Sequence, residues 1–231
     1  SPSFDQNSFV GGITRKQWDS LITNPFRPMS NRAIQGEYPP GSTYKFITAL
    51  AGLQEGVIDE KSVLHCPGYY RFGNRIYRCW KRGGHGQVDI VKAVEESCDV
   101  FFYQVGQQLG VDRLAWYAKA FGLGSPTGVQ LDHESHGLIP TAAWKKRRTG
   151  VPWQKGETLS IAIGQGFNLA TPIQMAFLAA AVANGGQRYH PLILDRIELV
   201  DGQILQENKP KLIGKLPVSP AHLTLVKLGL W

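Results

Sequence analysis

No stretch of the 231 residues approaches the run of about 20 apolar side chains that a membrane-spanning helix needs. The longest apolar segment, Met175 to Ala183, is short and rich in alanine. No secretory leader opens the sequence, and Ser1-Pro2-Ser3-Phe4 reads as the interior of a longer protein. Any anchor or export signal is therefore expected outside these residues. Internal repeats and low-complexity tracts are missing, which speaks against a solenoid or a disordered linker. Cysteine is scarce, with three residues. An odd number cannot pair completely within one chain, so the choices are one disulfide plus a spare thiol, three buried thiols, or metal ligands. Acidic side chains are outnumbered, 18 against 25 basic ones, for a net charge of +7. The excess is dispersed, and its densest group, Lys145 to Arg148, is one short segment. That pattern fits a solvated face, or attraction to an anionic membrane or polymer, and no nucleic-acid partner is expected.

What is present suits one globular domain: 42% hydrophobic and 19% charged residues, enough for a sizeable core. The first forty residues are broken by prolines and glycines, with one short helix expected from Thr14 as N-cap to Ile22. A stronger helix is expected from Ser42, where Phe46, Ile47, Leu50 and Leu53 recur at helical spacing until Gly56. Further helices are expected over Asp89–Glu96, over Val100–Leu109, and from Asp112 as a cap to Gly122. Thr171-Pro172-Ile173-Gln174 is a capping box with proline at the first helical position, and Asn184-Gly185-Gly186 closes that helix. A hairpin is expected around Asp201-Gly202, and a last helix from Ser219-Pro220 to the final residue, Trp231.

Two short motifs bear on chemistry. Ser42-Thr43-Tyr44-Lys45 has the form S-x-x-K. Residues three apart lie on one helix face, so an amine can reach a hydroxyl and activate it for acyl transfer, while the helix N-terminus favours a developing oxyanion. Alone the pattern is also that of a serine N-cap followed by an exposed lysine. Ser97-Cys98-Asp99 has the form S-x-D and can equally be a helix cap. Gly164-Gln165-Gly166 on pattern grounds is a weak phosphate-cradle signal.

Together these residues resemble the class B penicillin-binding proteins, and among them the penicillin-binding protein 2 group. The resemblance rests on ordered matches along nearly the whole chain. They are Ser3-Phe4-Asp5, Pro39-Pro40-Gly41-Ser42-Thr43-Tyr44-Lys45, Glu95 to Tyr103 around S-x-D, Ile163-Gly164-Gln165-Gly166, and Ala170-Thr171-Pro172-Ile173-Gln174-Met175. It implies an α/β (α+β) penicillin-binding transpeptidase fold, akin to serine β-lactamases. Residues 1–231 would be a helix-rich part of that domain, truncated at both ends and lacking much of the central antiparallel sheet. It implies a D,D-transpeptidase that cross-links peptidoglycan stem peptides in cell elongation. Ser42 would be the acylated nucleophile, Lys45 the acylation base, Ser97 a proton carrier and Asp99 a partner of Lys45 and of the substrate amide. Many relatives carry Asn at that last position. β-Lactam antibiotics would acylate Ser42, and a membrane glycan polymerase of the elongation machinery would be the partner, at the periplasmic face of the inner membrane. The family's K-T-G motif does not occur here; the resemblance places it after the last residue. A penicillin-sensing or scaffolding module that is acylated without turning over is the alternative. A zinc-stapled interaction domain without acyl chemistry is a further one.

Cys66, Cys79, His85 and Cys98 are spaced C-x12-C-x5-H-x12-C. A Cys3His set suits tetrahedral Zn2+, although this is not a common finger spacing. Some members of the group resemble it, with carboxylates in place of the first two cysteines. The competing reading is a Cys66–Cys79 disulfide with Cys98 as a small buried residue, and His65 is an alternative ligand. Arg78, Trp80, Lys81 and Arg82, between two of these positions, either line a groove for acidic glycan or stem peptide or face solvent.

Overall fold

The computed structural model describes residues 2–230. In chain order its elements are α1 (Arg15–Ile22), α2 (Arg32–Gln35), α3 (Lys45–Gln54), β1 (Leu64–Cys66), β2 (Tyr69–Phe72), β3 (Arg75–Arg78), β4 (Gly86–Val88), α4 (Ile90–Glu95), α5 (Asp99–Ala120), α6 (Ala142–Thr149), α7 (Lys155–Ala162), α8 (Pro172–Ala183), β5 (Gln187–Tyr189), β6 (Arg196–Glu198), β7 (Ile204–Glu207), β8 (Leu212–Lys215) and α9 (Pro220–Leu228). No helix is long and apolar enough to cross a membrane among the described residues.

The core is built around α3. Ile47, Thr48, Ala49, Leu50, Ala51 and Leu53 are all buried, so this helix is enclosed on every side rather than amphipathic. Helix α5 lies along it and presents Phe101, Phe102 and Val105 to the same core. Helix α7 packs against α5 at very short range. A Cβ added to Gly106 would sit 2.2 Å from Ala162 Cβ, so only glycine lets the two backbones approach this closely. The Thr48 hydroxyl spans from α3 to α7, donating to the Ala162 carbonyl at 2.7 Å and satisfying an acceptor at that helix's end.

Strands are short and occur as four antiparallel pairs, β1–β4, β2–β3, β5–β8 and β6–β7. The expected N-cap at Thr14 and capping box at Thr171 form, the former also as a full capping box, and the side chains of Asp89 and Ser219 cap the helices that start there. The break expected at Gly110 is present: two helical stretches, labelled together as α5, meet at a kink where Gly110 takes φ 74° and ψ 163°. Three expectations need correction. Ser42 lies on a 3-10 turn, Gly41–Tyr44, and the α-helix proper begins at Lys45. Asp112 does not cap, because its carboxylate accepts from the Ala142 N–H at 2.9 Å instead. The last helix closes at Leu228, and Trp231 lies outside the described residues. Lys145 is a correction of another kind. It leaves the basic surface cluster to bury its ammonium against Glu157, 2.6 Å away, and the Pro152 carbonyl.

Candidate active site

Ser42 is delivered by a backbone clasp. The Gly41 N–H donates to the Gly164 carbonyl at 2.8 Å, and Gly164 itself takes φ 72°. A side chain at Gly164 would stand 2.2 Å from the Gly41 carbonyl oxygen and 2.6 Å from Tyr44 Cβ. Positive φ and close approach thus both require glycine there. The G-x-G pattern is a close-packed turn against the serine's own loop.

Lys45, one turn on, is almost wholly buried, and its ammonium has three partners. It donates to Ser97 Oγ at 2.9 Å, to the Ser97 carbonyl at 2.9 Å and to Asp99 Oδ1 at 2.6 Å. The ammonium also stands 5.5 Å from the centroid of the Phe102 ring. Burying such a charge is tolerable only with its donors satisfied in this way. The backbone explains how one residue supplies two of the acceptors. Ser97 has φ 51° and follows α4 in the position where a helix is commonly closed by glycine, with the Cys98 N–H bonded back to the Ala93 carbonyl at 3.0 Å. For a residue with a Cβ this left-handed conformation costs about 1 kcal/mol. In return both Ser97 oxygens face Lys45. Asp99 opens α5, where a carboxylate is favoured by the helix dipole.

Trp80 joins this cluster in a way its sequence position does not disclose. Its backbone N–H donates to Asp99 Oδ2 at 3.0 Å. Its indole N–H donates to the Glu96 carbonyl at 2.9 Å and to that of Ser97 at 3.2 Å. The residue is 63% exposed, so its ring is held by these bonds and by an edge contact with His85 rather than by burial. The signal that pointed to it was proximity to Cys79 alone. Burial raises the Tyr103 phenol, with the Asp99 charge adding to the effect. Its hydroxyl donates to the Arg78 carbonyl at 3.2 Å.

Behind Trp80 the four expected cysteine and histidine residues meet. One donor atom from each of Cys66, Cys79, His85 and Cys98 lies within 4.8 Å of all the others, and all four residues are buried. His85 Nδ1 is 3.5 Å from both Cys66 Sγ and Cys79 Sγ. His85 Nε2 makes no hydrogen bond but points to Glu96 Oε2, 3.5 Å away. All three cysteines are free thiols, so the Cys66–Cys79 disulfide does not form here. Burial pushes the Cys98 thiol up and His85 down. His65 alternates to the exposed face of β1 and does not join.

The site and its surroundings match a known family. The model of the penicillin binding protein transpeptidase domain matches residues 1–230. The chain belongs to the penicillin-binding protein transpeptidase family. It is 44% identical over 196 residues to the peptidoglycan D,D-transpeptidase MrdA of Acinetobacter baumannii, covering 84% of this chain and 29% of that relative. Among solved structures it superposes on Pseudomonas aeruginosa PBP2 in complex with WCK 5153. The TM-score is 0.87 and the identity 38%, over 100% of this chain and 52% of that one. It also matches the imipenem acyl-enzyme of penicillin-binding protein A from Mycobacterium tuberculosis, with TM-score 0.82 and 26% identity over 97% of this chain and 50% of that one. The fold is thus the penicillin-binding transpeptidase fold, shared with structures of the penicillin-binding protein 2 group. The chain spans under a third of that curated relative's length.

Proposed function

We propose that this chain carries the acylation centre of a peptidoglycan D,D-transpeptidase of cell elongation, with Ser42 as nucleophile. The observation that carries the reading is the buried Lys45 ammonium, shared between Ser97 and Asp99 one turn after Ser42. S-x-x-K and S-x-D are 52 residues apart between Lys45 and Ser97, and as helix caps they would have no reason to converge. In acylation, Ser42 Oγ attacks the carbonyl of a D-Ala–D-Ala bond as its proton passes to the Lys45 amine. Lys45 must first give up a proton, and Asp99 Oδ1 at 2.6 Å is its closest acceptor. Ser97 Oγ then protonates the departing D-alanine nitrogen as the C–N bond breaks and recovers a proton from Lys45, to which it is bonded, leaving the carbonyl carbon as an ester on Ser42. An amine from a second stem peptide takes the acyl group, restoring the Ser42 hydroxyl. β-Lactams would follow the first half of this path, in line with the acyl-enzymes of the tuberculosis relative. Residues 1–231 would form part of one transpeptidase domain at the periplasmic face of the inner membrane.

The cysteine–histidine cluster fits Zn2+ in donor type, number and convergence, and Glu96 is placed to orient the His85 ring through Nε2. Cys66, Cys79, His85 Nδ1 and Cys98 would hold it. The ion would supply structural cross-linking and stabilise the Cys98 thiolate that burial otherwise disfavours. This chain's own residues do the rest: Cys98 fixes the peptide between Ser97 and Asp99, and Cys79 fixes the one leading into Trp80. For partners, Helicobacter pylori PBP2 is similar over 98% of this chain with TM-score 0.85 and 32% identity, and it has been solved with MreC. Another similar chain belongs to a peptidoglycan synthase complex that coordinates polymerization and crosslinking. A glycan polymerase partner in the membrane is the matching proposal here.

The test is release of D-alanine from a pentapeptide ending in D-Ala–D-Ala, by a longer form of the protein that carries the K-T-G strand. Release that Ser42→Ala and Lys45→Ala both abolish supports the assignment. Peptide that forms no ester and releases no D-alanine, while β-lactam still acylates Ser42, would favour the sensing module instead.

A further inference from the structure

The hairpin β2–β3 has two unlike faces. The cross-strand pairs Tyr70–Tyr77 and Phe72–Arg75 share one side. Tyr70, Phe72 and Tyr77 there are packed on the core, and Tyr77 and Tyr70 meet the Tyr103 ring at 5.8 and 6.4 Å. The Tyr77 hydroxyl donates to the Gly156 carbonyl at 3.2 Å, fixing the hairpin to α7. The opposite side carries the pairs Tyr69–Arg78 and Arg71–Ile76, all four exposed. With Arg82 they line a groove of about 380 Å³ that contains no carboxylate. Among the described residues none of these three arginines has an ion-pair partner.

Three guanidinium groups in one groove repel one another, and this face offers no internal counter-charge. Each is a planar fork matched to a carboxylate, and Tyr69 and Ile76 place apolar surface between them. The groove is also tied to the acylation centre. Arg78 lies two residues before Trp80, whose N–H holds Asp99, and its carbonyl is held by Tyr103. We propose that this face binds the side carboxylates of an acidic stem peptide, positioning an extended peptide strand relative to Ser42. The choice of ligand rests on the transpeptidase reading above; the anion-binding groove itself does not.

The experiment is an NMR titration of the Ser42→Ala chain, which cannot be acylated, so the result is independent of acyl chemistry. The probes are a pentapeptide with two free side carboxylates, the same peptide with both amidated, and inorganic pyrophosphate. The proposal predicts saturable shifts of the Arg71, Arg78 and Arg82 side-chain N–H signals with the acidic peptide, and at least fivefold weaker binding of the amidated one. In R71Q/R78Q/R82Q, with unchanged melting temperature, that preference should vanish. If the triple variant does not fold, Arg71→Gln alone should cut the preference at least twofold. Equal affinity for both peptides, shifts confined to other residues, or binding of pyrophosphate without the peptide would each overturn it. A failure here would leave a penicillin adduct on Ser42 untouched, so the two readings fail separately.

Discussion

Lys45 commits all three of its donors, and two of the acceptors come from Ser97, in a loop that needs outside support to hold its shape. Ser97 sits in a left-handed conformation that a Cβ disfavours. The Trp80 indole, bonded to the carbonyls of Glu96 and Ser97, is one of the groups that keep it there. Trp80→Phe removes those two bonds but leaves the backbone N–H on Asp99. Because the ring is largely exposed, the expected loss of stability is small, about 1 kcal/mol. β-Lactam acylation is expected to slow several-fold, which stopped-flow kinetics alongside a thermal melt will show. Gly164→Ala should act more severely. Its methyl group would meet the Gly41 carbonyl at a positive φ, so a loss of about 2 kcal/mol and displacement of the Ser42 turn are expected. The motifs themselves were legible in the sequence, since Ser42, Lys45, Ser97 and Asp99 lie in S-x-x-K and S-x-D. Trp80 was legible only as a neighbour of Cys79. Its role depends on a contact 16 residues away that no local pattern encodes.

Helix caps carried most of the element boundaries, because a capping box is a local bargain between side chain and backbone. The approach to Ser42 was less legible: Pro39-Pro40-Gly41 enters a 3-10 turn, and the switch to α-helix at Lys45 is set by the clasp with Gly164. Asp112 illustrates the same limit, since a tertiary partner, Ala142, took the carboxylate from its expected capping duty. Packing between helices supplies a prediction at this scale. Gly106→Val would drive side-chain atoms into Ala162, and overpacking of about 1–3 kcal/mol is expected, read as a lower denaturant midpoint with unchanged m-value. The cysteine–histidine cluster draws its members from β1, the loop after β3 and the start of α5, which a bound Zn2+ would staple into one unit. Cys98→Ser, or treatment of zinc-loaded protein with a chelator, is expected to lower the melting temperature and slow acylation together. Full retention of metal by mass spectrometry in Cys98→Ser would remove that residue from the ligand set.

Across the molecule, the enclosed helix α3 carries Lys45 and the α7 contact and continues the turn that holds Ser42, and α5 brings Asp99 to Lys45. The family was legible because five motifs occur in order along the chain, each weak alone. The sheet was not, since the strands present are short pairs that carry little periodicity. The convergence of residues 66, 79, 85 and 98 could be posed from spacing, but not decided against a disulfide until the fold brought all four donors together. The central claim is that Ser42 is an acylated nucleophile. Intact mass after incubation with benzylpenicillin tests it most directly, on this chain and on a longer form that carries the K-T-G strand. The account predicts one penicilloyl adduct on the longer form, mapped to Ser42 and absent in Ser42→Ala, with the shorter chain acylated more slowly or not at all. A folded longer form that gains no mass, or an adduct that survives Ser42→Ala, would contradict it.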